Sequence, residues 1–453
     1  MKDCKPVVFR YLAVAIITFL PIGTTSAQSL QEAVVTALQT YPEVKALDYG
    51  SMAARNIQAQ AFAGYLPSLD LQAFSGYENS NNPATRARIG GDEDLTPSGI
   101  SLGLNLNLFE GFGSRARVAS SANFAKIAAL RVKEAAERLG LQISQVYIDV
   151  LLYQELVALA KNNIDDHQNL LDLVKQRVAQ QVGSQSDESQ VLSRLKAAQA
   201  SLKQYEGLLA DAKAAFKTKT DSEPADLTIP PLDDLVAANL AEDIKLALNS
   251  NPNLEQARAN IAMAKADHLQ KKSAYYPRVN LELSTNHNSD MAGTPDRNAS
   301  MSGMVTLTQN LFAGGQNYYE VQKAYNMLRQ AESELEQAER EIGEYVKVVY
   351  NGWLIARSRK KTFEAQVADN KLVKEAFSQQ FTVNKRTLLD LLDSENTLLA
   401  SRTNHAKERF LEILEVYRLL SLQGRLLEEL QIEMPEGAKF KKMTLVDTIS
   451  YKN

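Results

Sequence analysis

Apolar and polar residues alternate with period two at two places in the first half of the chain and at two in the second. Leu69, Leu71 and Ala73 alternate with Asp70 and Gln72, while Ile100, Leu102, Leu104, Leu106 and Leu108 alternate with Ser101, Gly103, Asn105 and Asn107. The second half sets Val279, Leu281 and Leu283 against Asn280, Glu282 and Ser284, then Val305 and Leu307 against Met304, Thr306 and Thr308. This alternation predicts four strands, each with one apolar face. Between the members of each pair, Asn79 to Pro97 and Asn286 to Asn298 are rich in Asn, Gly, Asp and Pro and read as exposed hairpin tips. Elsewhere the period changes. Gly113 to Gln181 and Gly315 to Leu392 contain no proline, and Ile164, His167, Leu171, Val174 and Val178 follow the three- and four-residue steps of a coiled-coil seam. As one helix the first of these runs would be about 100 Å long. His167 reads as a packed seam residue and not a ligand, and Glu332, Glu334, Glu336, Glu339 and Glu341 read as a solvated face.

The pattern occurs twice. Pro42 and Pro67 recur as Pro252 and Pro277, both moved by 210 positions; Asn107-Leu108-Phe109-Glu110-Gly111 recurs as Asn310-Leu311-Phe312-Ala313-Gly314, moved by 203, as does Val146-Tyr147 in Val349-Tyr350. The change of seven falls between the two strands, so the first copy has the longer loop. A period of about 200 residues is a duplicated domain, since solenoid repeats are far shorter. The expected organisation is a first repeat at 28–222, with a hairpin at about 68–108 and long helices at 113–218, and a linker at 223–240 that holds the Pro-rich stretch Glu223 to Leu232. A second repeat follows at 241–433, with a hairpin at about 278–311 and long helices at 315–430, and then a tail at 434–453.

Residues 1–27 read as an export signal: Lys2, Lys5 and Arg10 precede the apolar run Tyr11 to Leu20, and Thr25-Ser26-Ala27 offers a cleavage site. Ten apolar residues fall short of the roughly 20 that a spanning helix needs. No other run of 18 apolar residues occurs, so a membrane would be entered by strands.

Composition removes several classes of function. With 21 Gly and 13 Pro in 453 residues, turn-forming residues fall well below their usual share of about 12%, which favours long elements. A net charge of −4 provides no basic excess for nucleic acid. The one cysteine, Cys4, precedes the apolar run, and the four histidines lack metal-ligand spacing, so no disulfide framework, metal site or cofactor is indicated. There is no nucleophile elbow and no phosphate-binding glycine loop, which argues against an enzyme. An exported coiled-coil scaffold or adaptor shares the signal and the heptads, but needs no amphipathic strands at matched places in two repeats.

Four strands cannot close a spanning barrel, and the smallest closed barrels have about eight. A dimer would supply eight strands and a trimer twelve, with the long helices bundled into a tube that continues the barrel. The fold class expected is thus mixed α and β, with a barrel shared between chains.

The strand hairpin, Leu-Phe-x-Gly, long helix and then Phe381-Thr382-Val383-Asn384-Lys385-Arg386-Thr387-Leu388-Leu389-Asp390-Leu391-Leu392-Asp393, all in a signal-bearing twofold repeat, resembles the TolC family of outer-membrane efflux and secretion channels. The resemblance covers nearly all of the chain after the signal. It implies a homotrimer with a twelve-stranded barrel in the outer membrane and a long α-helical coiled-coil tunnel in the periplasm. The implied partners are a periplasmic adaptor protein and an inner-membrane transporter, either ABC-type or proton-driven. The run from Arg386 to Asn396 looks closest to members serving type I protein secretion; drug-efflux members share much of it. The family's aspartate rings at the tunnel tip map to Asp390 and Asp393, three residues apart on one helix face. Repulsion within such rings raises carboxylate pKa values. The family's closing links map to Arg386 and Phe381, facing Ser186 and Asp187 of the neighbouring hairpin. The usual tyrosine is Phe381 here, so one link lacks its hydroxyl, and the usual glycine before the arginine is Asn384.

Overall fold

A computed structural model describes residues 28–231 and 239–441. The export segment 1–27, part of the linker and the end of the tail lie outside the described residues.

Helix α1 (Leu30–Thr40) starts from a capping box in which Ser29 and Glu32 each accept the other's backbone N–H. Helix α2 (Pro42–Ala63) begins with a proline, whose missing N–H costs nothing in a first turn. Strand β1 (Ser68–Ser75), short strand β2 (Glu78–Ser80), helix α3 (Pro83–Ile89), short strand β3 (Glu93–Leu95) and strand β4 (Ser98–Glu110) follow. The long pair α4 (Gly113–Ala179) and α5 (Gln185–Thr220) completes the first half. The second half repeats the order with α6 (Leu240–Ser250), α7 (Pro252–Lys272), β5 (Arg278–Met291), β6 (Thr294–Thr308), α8 (Gln316–Thr382) and α9 (Leu388–Leu422), and ends in a single turn, α10 (Leu426–Glu429). Helices α4 and α8 have 67 residues each, about 100 Å of rise.

The four long strands form one antiparallel sheet in the order β1-β4-β5-β6, with β1 and β6 at its edges. The register gathers the predicted apolar positions on one face: Leu104 lies between Leu69 and Leu283, Leu102 faces Leu71, and Leu106 faces Leu281, which faces Val305. Asn105, between Ser68 and Glu282, belongs to the polar face. A bulge skips Leu108, so that Phe109 pairs with Val279 and rejoins the apolar side.

Both predicted loops between the strands are corrected. The segment from Asn286 to Asn298 is strand: β5 and β6 pair as far as Met291 and Thr294, and the tip is only Ala292 and Gly293, with φ of 52° and 73°. Its polar residues resemble a loop because a strand wetted on both faces loses its alternation. The stretch from Asn79 to Pro97 folds into β2, α3 and β3 and docks on that turn. Asn82 Nδ2 donates to Ala292 O at 2.9 Å, Arg88 Nη2 donates to Gly293 O at 3.0 Å, and Gly293 N donates to Glu78 at 3.0 Å. The methyl of buried Thr85 stands where a Cβ on Gly293 would lie.

The main core gathers the middle of α4 with α1, the ends of α5 and α9, and α10. Tyr147, fully buried, accepts Thr228 N at 2.9 Å, and its hydroxyl lies 2.8 Å from Gln28 O. The start of the first repeat and the linker that follows it are thus tied to one side chain. Glu137 accepts the N–H of Leu426 at 3.0 Å and of Leu427 at 3.4 Å. One window of 18 residues in α4 reaches a mean hydropathy of 1.3, enough to cross a bilayer by length and composition, although polar residues interrupt it and no 18 consecutive apolar residues occur there. Half of it is buried inside the chain. Its apolar side chains serve the helical core, among them Ile143, Tyr147 and Val150.

Candidate functional site

The two long hairpins end in turns built alike. Gln181 ends the α4 side with φ 61° and Asn384 ends the α8 side with φ 61°, positions that are equivalent in the repeat. The left-handed residue of the first turn is therefore Gln181. Lys385 N donates back to Gln380 O at 2.9 Å, and Val182 N to Arg177 O at 3.0 Å, satisfying carbonyls at each helix end.

Each returning helix then starts with a capping box. Ser184 caps α5 and Thr387 caps α9, and the reciprocal partners are Asp187 and Asp390. Asp390 N donates to Thr387 Oγ1 at 3.2 Å, while Asp390 Oδ2 accepts Thr387 N at 3.2 Å and Thr387 Oγ1 at 2.8 Å. Arg386 Nη1 lies 3.9 Å from the same oxygen. The bonds from Thr387, side chain then backbone, with the nearby Arg386 charge, hold the Asp390 carboxyl below the usual carboxylate range. Within one chain that shift runs opposite to the rise expected from a ring of like charges. Asp393, one turn on, is exposed and stands outside the cap.

The predicted linking residues are all at this tip but are differently engaged within the chain. Arg386 donates from Nε to Gln380 Oε1 at 3.0 Å and stacks on Phe377 at 4.2 Å. Ser186 N donates to Ser184 Oγ at 3.1 Å, and Asp187 Oδ2 accepts Ser184 N at 3.2 Å. Among the described residues Arg386 makes no hydrogen bond or ion pair to either of them. Phe381 is buried, in a cluster with Leu170, Val174, Leu195, Leu388 and Leu391 from all four long helices and their ends.

At the turns themselves, a side chain that joins the two hairpins is Arg177, which has no assigned role in the sequence pattern. Its Nη1 donates to Phe381 O at 2.9 Å, its Nη2 bonds the Asn384 side chain, and its guanidinium lies 4.6 Å from the Phe381 ring. The only signal in the sequence is a basic residue in the last turn of a helix, which by itself points to the helix dipole.

Among the described residues no cluster of metal-ligating side chains occurs. The arrangement offers a sheet with two open edges, two hairpins about 100 Å long in their outgoing helices, and a charged, capped tip. A sequence model of the outer membrane efflux protein family matches residues 33–219 and 244–411. The alkaline protease secretion protein AprF of Pseudomonas aeruginosa is 22% identical over 414 residues, 88% of this chain and 84% of that one. The outer membrane protein TolC of Vibrio cholerae is 23% identical over 446 residues, 93% of this chain and 97% of its own. The crystal structure of VceC, also from Vibrio cholerae, shares the fold with a TM-score of 0.73 at 16% identity, covering 90% of this chain and 97% of that one. With the family model matched along most of its length, the chain belongs to the outer membrane efflux protein family, whose trimeric channels stand in the outer membrane and work with a periplasmic adaptor and an inner-membrane transporter.

Proposed function

We propose that the chain is the exit duct of a type I protein secretion system, passing an unfolded protein from an ATP-driven pump to the outside. The observation that carries the duct is the sheet whose apolar strands run directly into the long hairpins, so that four strands from each of three chains close twelve around one axis above a helical tube. Similarity to an alkaline protease secretion protein along most of the chain supports secretion. A small-molecule efflux duct is the second reading, favoured by the family's name. In either case residues 1–27 direct export.

The tip is the proposed constriction. Asp390 and Asp393 from three chains give six carboxylates around the axis, and Arg386 and Phe381 with Ser186 and Asp187 of the adjacent hairpin form the closing contacts between chains. Asp390 serves twice, as cap partner and as lumen charge.

Deleting the chain from its host separates the two readings. Loss of particular proteins from the culture medium, with unchanged intracellular dye accumulation, is expected. An unaltered set of exported proteins with raised dye accumulation would replace secretion by efflux.

A further inference from the structure

Above the tip, His167 of α4 and Glu395 of α9 face each other across the join between the hairpins. Each is only 7% exposed, and imidazole Nδ1 lies 3.3 Å from carboxylate Oε2. Neither atom has another hydrogen-bond partner. Lys374 of α8 completes the group: its Nζ lies 2.6 Å from Asp166 Oδ2 and 3.8 Å from Glu395 Oε1. The lysine is thus committed mainly to Asp166, and the buried oxygen of Glu395 depends on the imidazole. The other charge on this crevice is Arg402 of α9. From the far side of α4, α5 brings apolar Val191 and Leu195, while its Arg194 and Lys196 are exposed.

An orphaned buried carboxylate oxygen is costly, and a positively charged donor relieves that cost best. We propose that His167 and Glu395 form a proton-operated strut, in which an imidazolium ties α9 to α4 through a charged hydrogen bond and stiffens the second hairpin against the first, whereas a neutral imidazole holds the join only through the weaker uncharged bond of its Nδ1–H tautomer. Imidazoles ordinarily change charge between about pH 5 and 8, a range the periplasm and its surroundings can cross. On the reading of the tip as a gate, on which this consequence rests, acid makes the duct harder to open.

Hydrogen exchange of the full-length trimer in detergent tests the strut without any conduction measurement. After correction for the intrinsic rate, amides in residues 388–400 should exchange on the order of tenfold more slowly at about pH 5 than at about pH 8. His167→Gln and Glu395→Gln should each remove that difference. Equal protection of the wild-type trimer at both pH values overturns the proposal, as does a difference that survives in His167→Gln. If His167→Gln does not assemble, the wild-type measurement and Glu395→Gln decide. Conductance recorded in parallel reports the gate separately: a strut that responds to pH while conductance stays constant leaves the strut standing and removes the gate.

Discussion

The guanidinium of Arg177 stacks 4.6 Å from the ring of Phe381 and donates to the carbonyl of that same residue at 2.9 Å, so one side chain of the first hairpin grips both the ring and the backbone of the second. Phe381 cannot offer a hydroxyl, and the grip uses its ring instead. Arg177→Ala removes a stacked cation and two hydrogen bonds, a loss on the order of 2 kcal/mol per chain. Raised resting conductance in planar bilayers is the expected result. Arg177→Lys keeps the charge but not the planar fork and should fall in between. Wild-type resting conductance in Arg177→Ala would show that the contact holds nothing closed.

The two tip aspartates should behave differently. On the proposed constriction, Asp393→Asn takes a charge from the ring and leaves the α9 cap intact, so cation selectivity and block by multivalent cations should weaken while resting conductance stays low. Asp390→Ala removes the charge together with the reciprocal half of the cap, the bonds that its carboxylate accepts from Thr387, and should also raise resting conductance. Thr387→Ala, which costs about 1 kcal/mol of capping without touching a charge, should reproduce only the second effect. Selectivity recordings from the three variants, compared with a variant lacking both aspartates, check this; selectivity unchanged in the double variant would move the constriction elsewhere.

The sheet register assigns opposite outcomes to neighbouring residues. Leu104 lies between Leu69 and Leu283 on the apolar face, and Leu104→Arg should lose roughly 2 to 4 kcal/mol on facing lipid and fail to reach the membrane fraction as a trimer. Asn105→Arg sets a cation beside Glu282 on the polar face and should assemble. Equal assembly of both variants would invert or void the faces.

Glu137 makes stability depend on pH. Burial raises its carboxyl from 4.5 to about 7, despite the N–H groups of Leu427 and Leu426. Because the folded chain binds this proton more tightly than the unfolded one, the contribution is full below about pH 4.5 and is lost as pH rises through about 7. The window is worth on the order of 3 kcal/mol. Thermal unfolding in detergent should therefore show the wild type losing stability between about pH 5 and 8 relative to Glu137→Gln, which keeps an acceptor without the charge. Parallel pH profiles would mean that the carboxylate stays ionised throughout.

Period-two alternation exposed the strands from Leu69 to Leu106 because one side of each lies against an apolar medium. The same rule failed from Asn286 to Asn298, where both faces are wet and nothing in the side chains distinguishes strand from loop. Folding of Asn79 to Pro97 was hidden for another reason: its partner is a turn more than 190 residues away. The tip is legible as a conspicuous run from Phe381 to Asp393, yet Ser184-x-x-Asp187 and Thr387-x-x-Asp390 also spell capping boxes, so the same residues carry a local meaning beside the functional one. Arg177 and Glu395 stayed silent because their roles depend on which helix faces which, and seam spacing does not fix the neighbour.

The open edges of β1 and β6 have a consequence for genetics. A row of unpaired backbone groups can be satisfied only by the matching edge of another chain, so no chain can complete its fold in the membrane without two others. A variant damaged at an edge but still able to bind on its sound side would enter barrels and spoil them, and a minority of such chains would disable most of the ducts in a cell that also makes the normal protein.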